Sequence, residues 1–412
     1  MSWLEHASSV TIHPFTRQAG SDEVVIGPTP TGQFLSLPLE AVALLDELAL
    51  GKTVSEARAW YEARYGEEPD IDGLLEHLSA YGLVSLPGTA SPTAPSVSPT
   101  ASKPTYHLTF ISERVARFFF GRPALTLYGA VILAALVALV THPTLLPTWR
   151  ALFIPEHITA TSLLVTFLSL LTLTFHELAH LVAARSRGVL CRLGFGNRMW
   201  TVVAETDMTG VWALPRAQRY LPLLAGPLFD AFSASLVLLV LLASQQGFVS
   251  LSEWMLRTSS ILLFIHGMRL LWQCYFYVRT DFYYALTTYF DCKDLMQDTE
   301  DFLRNQLARL RGRTAPVDQS HIPQRERRVI ARYSVIWLAG RVLAFGLVFF
   351  VQVPLLIHYL PLILRAIAAG LQGGLYAFLD SVFVITLWLV TVTLGLTLWI
   401  RELRTPVRRP TR

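Results

Sequence analysis

Long apolar segments constrain this chain more than any other feature of its sequence. Six of them can be marked, at about 124–141, 160–184, 221–243, 255–278, 331–356 and 376–400. A helix rises 1.5 Å per residue, so each segment can cross the roughly 30 Å of hydrocarbon in a bilayer, with the first segment near the short limit. The composition agrees, because 52% of the residues are hydrophobic and 16% are charged, against about 25% charged in a soluble protein. We therefore predict a polytopic α-helical membrane protein with about six transmembrane helices.

The charges between these segments predict an orientation. Lys and Arg are concentrated in four connecting segments, 87–123, 185–220, 279–330 and 401–412. The intervening loops contain only Arg150, Arg257 and Arg365. Because positive residues mark the cytoplasmic side, we expect a multi-pass protein of a prokaryotic inner (cytoplasmic) membrane with both termini in the cytoplasm. The dispersed basic residues form no single patch, which argues against a nucleic-acid partner.

Two points about the chain's course follow from composition. Residues 357–375 are ambiguous between a re-entrant and an interfacial helix. Residues 88–104 are rich in Pro, Ser, Thr and Ala, a composition that cannot bury enough apolar surface to fold, so they are expected to be a linker. The linker separates an acidic domain, residues 1–87, from a membrane domain, residues 105–412.

No cleaved signal peptide is expected, because the N-terminus lacks a positive region followed by an apolar core.

The N-terminal domain is expected to contain both strands and helices. "EVVIGPTPTGQFLSLP" predicts two short strands around a turn, and "LEAVALLDELALG" predicts a helix that ends at Gly51. Thr53 and Glu56 form a capping box for a second helix through Tyr65, and Asp72 is expected to cap a third. This hairpin with three short helices resembles the PqqD-like winged-helix domain that binds leader peptides of ribosomally made natural products. An acidic domain of unrelated role is the alternative.

Ionisable side chains interrupt the second apolar segment in "TLTFHELAHLVAA", residues 172–184. Residues four apart share a helical face, so His176 and His180 can offer two imidazoles to one metal ion. Glu177 lies beside that face, where it can act as general base on a metal-bound water, as in the H-E-x-x-H motif of zinc metallopeptidases. The alternative is that both histidines only form helix-to-helix hydrogen bonds, which would leave three polar groups in hydrocarbon without a function. The motif predicts a catalytic Zn²⁺.

A family resemblance extends this prediction. "HELAH" in an apolar helix, "LLAGPLFDAF" in the next segment and "RTDFYYAL" after a further one resemble the site-two protease family of intramembrane zinc metalloproteases. Within it, the chain is most similar to bacterial peptide zinc metalloproteases, which can carry a PqqD-like N-terminus. The resemblance covers about residues 20–300 and implies a site-two-protease-like core.

The resemblance also implies a third zinc ligand. Asp281 occupies the family's aspartate position, with Phe282 where glycine is common. An ion pair with Arg279 is the alternative role for Asp281. Asp230 is the rival ligand, although the family often has asparagine there, which implies a supporting role.

Three features are left with less specific interpretations. His266 and Arg269, in the middle of the fourth apolar segment, are interpreted as packing or snorkelling groups. Residues 190–215 are either a hairpin at the membrane surface whose edge pairs with substrate or an ordinary loop. The cysteines form no paired framework and no C-x-x-C, so neither a disulfide scaffold nor a thiolate zinc site is expected.

Together these features predict an intramembrane zinc metalloendopeptidase. Its expected substrate is a membrane-associated protein or a ribosomally made precursor peptide, and a peptide exporter or modification enzymes are the expected partners beside the lipid bilayer. The alternative function is a non-hydrolytic membrane component of peptide maturation or export, with a structural zinc.

Overall fold

The computed structural model describes nine stretches of the chain, residues 10–13, 15–19, 23–27, 35–85, 110–154, 157–198, 201–292, 294–320 and 322–404. The chain separates into two compact units. The first contains residues 1–111, 187–192 and 207–219, and the second contains the remainder. The predicted linker, residues 88–104, lies outside the described residues.

Short antiparallel strands flank the helices of the first unit. Strands β2 (Thr16–Ala19), β3 (Glu23–Gly27) and β4 (Leu35–Pro38) form a sheet in the order β2-β3-β4. β1 (Thr11–Ile12) pairs with β5 (Val84–Ser85). The predicted pair of strands corresponds to β3 and β4. The other three strands were not predicted, because two to four residues are too few to show an alternating pattern.

Three helices complete this unit, α1 (Leu39–Ala49), α2 (Val54–Tyr65) and α3 (Ile71–Ala80). The predicted capping box is confirmed, since the Glu56 amide donates to Thr53 Oγ1 over 3.2 Å and the Thr53 amide donates to Glu56 Oε2 over 2.8 Å. The prediction that Asp72 caps the third helix is wrong. The Gly73 amide donates to Asp70 over 2.9 Å, and Asp72 lies in the first turn.

The core of the first unit is apolar and well buried. It joins residues of β3 with all three helices, and its most buried members, at 0–1% exposure, include Ile26, Leu44, Ile71, Leu75 and Leu78. A helix or a short hairpin of this size cannot bury its apolar face alone, so the shared core is what makes strands and helices one unit.

The second unit is helical, and within the described residues five of its helices are long and apolar enough to cross a membrane. They are Glu113–Thr141, Ile158–Arg185, Arg216–Gln245, Gln324–Gly373 and Leu375–Leu394. The first comprises α4 (Glu113–Phe120) and α5 (Arg122–Thr141), and the next two are α6 and α7. α7 is central, because 39% of its most apolar window is buried, while the same window of Gln324–Gly373 is not buried at all.

The fourth predicted segment forms a helix that is not among these five. This helix, α8 (Glu253–Gln273), carries two arginines and His266, which lower its hydropathy. Ile261 of α8 packs with Leu168 of α6 and with Leu152, just before the start of α6. The prediction of six apolar spans is therefore corrected to five candidate helices, with a sixth helix of mixed polarity beside α6.

The ambiguous segment 357–375 is mostly a continuation of the preceding helix. α11 (Gln324–Leu347) leads through a π-helical turn, Val348–Gln352, into α12 (Val353–Ala369), and the helical run reaches Gly373. α13 (Leu375–Arg404) then returns along α12 and α6. Asp380 of α13 accepts the amides of Ile158 and Thr159 over 3.0 and 2.9 Å, so α13 caps the beginning of α6.

Two shorter helices and a hairpin connect the long helices. The helices are α9 (Asp281–Phe290) and α10 (Leu295–Leu310), which follow α8. The hairpin consists of β6 (Arg192–Arg198) and β7 (Thr201–Asp207), which pair in a two-stranded sheet between α6 and α7. Of the two interpretations of residues 190–215, the structure shows a hairpin rather than an ordinary loop, and the pairing of its edge with a substrate stays a prediction.

Candidate metal centre

α6 presents the H-E-x-x-H motif in its C-terminal half. His176 and His180 are one turn apart on the buried face, at 3% and 2% exposure, and Glu177 is 9% exposed. The Nε2 atoms of the two histidines lie 3.2 Å from each other. The helical repeat alone produces this arrangement, because residues four apart project in nearly the same direction.

The third donor comes from the chain beyond α8. Asp281 is the first residue of α9, where Thr280 caps the helix by accepting the Tyr283 amide over 3.3 Å. Its Oδ2 lies 3.2 Å from His176 Nε2 and 3.4 Å from His180 Nε2. Phe282 is a residue of α9 and has no left-handed backbone, so the helix has no conformational need for glycine at this position. The structure thus brings together the three residues that were predicted as ligands.

The hydrogen bonds of the two Nδ1 atoms determine the protonation of the imidazole rings of His176 and His180. His180 Nδ1 lies 2.7 Å from the carbonyl oxygen of Pro222, which can only accept, so Nδ1 carries the proton. His176 Nδ1 lies 2.7 Å from Asp230 Oδ2 and donates in the same way. In the neutral rings both Nε2 atoms therefore keep their lone pairs, directed at one another and at the Asp281 carboxylate.

This donor set fits a metal ion. Three acceptor atoms at 3.2, 3.2 and 3.4 Å have no proton to share, and a cation between them removes that conflict. Zinc bound tetrahedrally by nitrogen and oxygen at about 2.0–2.2 Å separates its donors by about 3.3–3.6 Å. The buried cluster of His176, His180 and Asp281 can therefore hold a metal ion.

Gly226 of α7 lies directly against the two histidines. A Cβ at this position would lie 2.4 Å from both Nε2 atoms, closer than real Cβ contacts come. Only glycine leaves this space free between the donor atoms and α7. The glycine of "AGP" is thus explained by the approach of a helix backbone to the donors rather than by an unusual backbone angle.

Asp230 of α7 supports the site from the side opposite the donors. It is fully buried, and its Oδ2 faces His176 Nδ1, so it does not join the three donor atoms. Its Oδ1 accepts from His266 Nδ1 over 2.8 Å and from Arg269 over 2.9 Å. Sequence reasoning had assigned His266 and Arg269 no such partner.

Gln273 holds the third donor in a similar way. Its Nε2 donates to Asp281 Oδ2 over 2.8 Å, and its Oε1 accepts the Asp281 amide over 3.0 Å. Thr280 Oγ1 also donates to the Gln273 carbonyl over 2.9 Å. These hydrogen bonds join the end of α8 to the start of α9 and fix the position of the Asp281 carboxylate. The carboxylate faces the two histidines and Gln273, which differs from the alternative of an ion pair with Arg279.

Glu177 is not one of the donors and has a partner of its own. Thr206 Oγ1, near the end of β7, lies 2.9 Å from Glu177 Oε2 and 3.1 Å from the Glu177 carbonyl, and it donates to this pair. Glu177 is therefore outside the group of three donors, and the hydrogen bond from Thr206 fixes the direction of its carboxylate.

The cysteines take no part in the site. All three are free. Burial raises the pKa of the Cys191 thiol to about 12 and that of Cys292 to about 11. Because the thiolate is the metal-binding form, neither of these thiols is prepared for ligation near neutral pH.

Comparison of this chain with protein-family models, with curated proteins and with solved structures found no match.

Proposed function

We propose that this protein is an intramembrane zinc endopeptidase. The observation that carries the proposal is Glu177, a carboxylate in an apolar helix that lies outside the buried cluster of three metal-donor residues but between two of them in sequence. A structural metal site has no need of a base next to its ligands. The alternative, a non-hydrolytic component of peptide maturation or export, leaves Glu177 and its bond to Thr206 without a purpose.

Zinc is the proposed metal because of the donor types. Imidazole nitrogen with carboxylate oxygen suits zinc, and three protein ligands with one open position are typical of catalytic zinc sites. When bound, zinc makes a water molecule acidic enough to lose a proton near neutral pH. His176, His180 and Asp281 are its proposed ligands.

The protein's own residues handle the proton. Glu177 accepts a proton from water at Oε and later donates it to the amine nitrogen that leaves when the peptide bond breaks. Thr206 directs the Glu177 carboxylate during both transfers through its hydroxyl group. Arg269 and His266 bond to Asp230, and Gln273 bonds to Asp281. The donors His176 and His180 are buried, and this burial limits the access of bulk water to them.

The proposed substrate is a membrane-associated protein or a ribosomally made precursor peptide. The β6-β7 hairpin supports this, because β7 ends beside Glu177 and, in the part of the chain described, the sheet has only two strands. An extended peptide can add to such an edge through backbone hydrogen bonds. The acidic N-terminal domain is the proposed recognition module for a basic leader, with an exporter or modification enzymes as partners.

Metal removal tests the proposal. We expect purified protein to contain about one zinc per chain, and to cleave members of a fluorogenic peptide mixture in detergent micelles. Treatment with 1,10-phenanthroline should abolish cleavage and added Zn²⁺ should restore it, because a site of this kind is inactive without its metal. Zinc content is measured by mass spectrometry and cleavage by fluorescence.

The control for this experiment is His358→Ala, which removes an exposed histidine of α12 and should leave zinc and cleavage unchanged. Protein with zinc but no cleavage of any peptide would favour the non-hydrolytic alternative. Protein without any metal would contradict the proposed site itself.

A topology prediction concerns α8. Five crossings would place the two termini on opposite sides of the membrane, whereas the Lys and Arg distribution places both inside. We propose that α8 also crosses, because it runs beside α6 from Leu152 to the metal centre. The polar side chains of its C-terminal half, His266, Arg269 and Gln273, bond to protein groups. Reporter fusions after residues 200 and 310 should therefore be cytoplasmic, and a fusion after residue 248 should be external. An external signal at residue 310 would contradict the crossing of α8.

A further inference from the structure

Three polar residues in the C-terminal half of α8 lie on the face that points to the metal centre. His266, Arg269 and Gln273 are separated by three and four residues, the spacing that places side chains on one helical face. Two of them reach Asp230 and the third reaches Asp281. This face of α8 therefore contacts both the carboxylate that supports His176 and the carboxylate that supplies the third donor.

Arg269 joins three helices at this point. Its Nη1 donates to Asp230 Oδ1 over 2.9 Å, and its Nη2 donates to the Ser169 carbonyl over 3.1 Å and to Thr172 Oγ1 over 2.8 Å. The Thr172 hydroxyl donates to the Leu168 carbonyl over 2.7 Å, so its oxygen is available as an acceptor. The arginine side chain is only 14% exposed, which means that it does not snorkel to the surface.

The charges of the buried groups balance only if Arg269 is counted with Asp230. A divalent cation offsets the charges of Asp281 and Glu177, while the two ligand histidines are neutral. Asp230 is fully buried and adds one further negative charge. Arg269 is the cation bonded to it, and a buried carboxylate without such a partner is strongly unfavourable.

We propose that Arg269 is a positioning residue of the metal centre, which acts on His176 through the charge of Asp230. With Arg269 in place, Asp230 is a stable anionic acceptor for the Nδ1 proton of His176, and Nε2 stays directed at the metal. Outer partners of this kind orient histidine ligands and typically alter metal affinity by roughly 10–100-fold. The inference rests on the proposed zinc site but concerns metal affinity, not cleavage.

The test is a double-mutant cycle on zinc affinity, measured by competition with a fluorescent chelator. Arg269→Gln should weaken zinc binding by roughly 10–100-fold. In the background of Asp230→Asn, whose side-chain oxygen still accepts from His176, the same Arg269→Gln change should have little effect. The visible spectrum of the Co²⁺-loaded protein should differ between wild type and Arg269→Gln. The spectra of Asp230→Asn and of the double variant should be nearly the same.

Arg257→Gln is the matched control, because Arg257 lies on the same helix, is exposed and pairs with Glu253. An Arg269→Gln variant with unchanged zinc affinity would overturn the proposal. So would an equal loss in both backgrounds, since packing against Ser169 and Thr172 would then explain it. If Arg269→Gln alone does not fold, a loss of zinc affinity on the same change within the Asp230→Asn background still overturns the proposal. Wild-type protein that binds no zinc would contradict the proposed function instead.

Discussion

Glu177→Gln should keep its zinc and lose cleavage by about two to four orders of magnitude, the usual contribution of a general acid–base residue. The substitution preserves the size of the side chain, and an amide oxygen can still accept from Thr206. None of the three donor atoms is changed, since Glu177 lies outside the cluster of His176, His180 and Asp281. The amide cannot take a proton from water, so only the chemical step should be impaired.

Two measurements on the same preparation check this expectation, zinc per chain and kcat/KM for one peptide found in the fluorogenic mixture. His180→Ala is the comparison variant, because it removes a donor and should lose zinc together with cleavage. Equal loss of zinc in the two variants would show that Glu177 is a ligand. Unchanged cleavage in Glu177→Gln with full zinc would show that another group is the base.

The first half of the site was predictable because it is local. His176, Glu177 and His180 lie within two turns of one helix, and their relative directions follow from the helical repeat. Asp281 is 105 residues away from His176 in the chain. The residues next to Asp281 in sequence contain no metal-binding motif, so its role as a ligand was predicted from the family resemblance. Its distance to the histidines depends on how α8 packs beside α6.

The support of the site was harder to predict. One face of α8 contains His266, Arg269 and Gln273, and their spacing is visible in the sequence. The spacing alone does not predict which helix this polar face contacts. Only the packing of α8 against α6 and α7 shows that it meets Asp230 and Asp281. The spacing of three and four residues, together with the cost of charged groups in an apolar segment, was the signal available beforehand.

In the rest of the fold, too, local contacts were predicted more accurately than contacts between residues distant in sequence. Local patterns such as the Thr53–Glu56 capping box were predicted correctly, since every interacting atom lies within four residues. The cap of α3 was assigned to Asp72 instead of Asp70, because both are aspartates at the beginning of the helix and residue preference does not separate them. α8 was predicted as an apolar span with His266 and Arg269 as packing or snorkelling groups, because their partner, Asp230, is distant in sequence.

Zinc content should separate the two aspartates of the site. Asp281 Oδ2 faces the Nε2 atoms of both histidines, whereas Asp230 Oδ2 lies 2.7 Å from Nδ1 of His176, on the other side of the ring. We therefore expect Asp281→Ala to lose zinc and cleavage together, because two imidazoles alone hold zinc weakly. Asp230→Asn should keep zinc and lose at most about tenfold in affinity, at the lower end of the effect of outer partners.

Asp281→Asn refines the comparison, because it keeps the size of the side chain and an oxygen near the histidines. A large loss of zinc affinity in this variant would show that the negative donor atom matters, not the space left by alanine. The thermal unfolding of each metal-free variant serves as the control for correct folding. Full zinc in Asp281→Ala with none in Asp230→Asn would reverse the assignment, and would require His176 to rotate so that Nδ1 became the donor. Such a rotation would break the hydrogen bond to Asp230 that Arg269 supports, which is why the geometry favours Asp281 as the ligand.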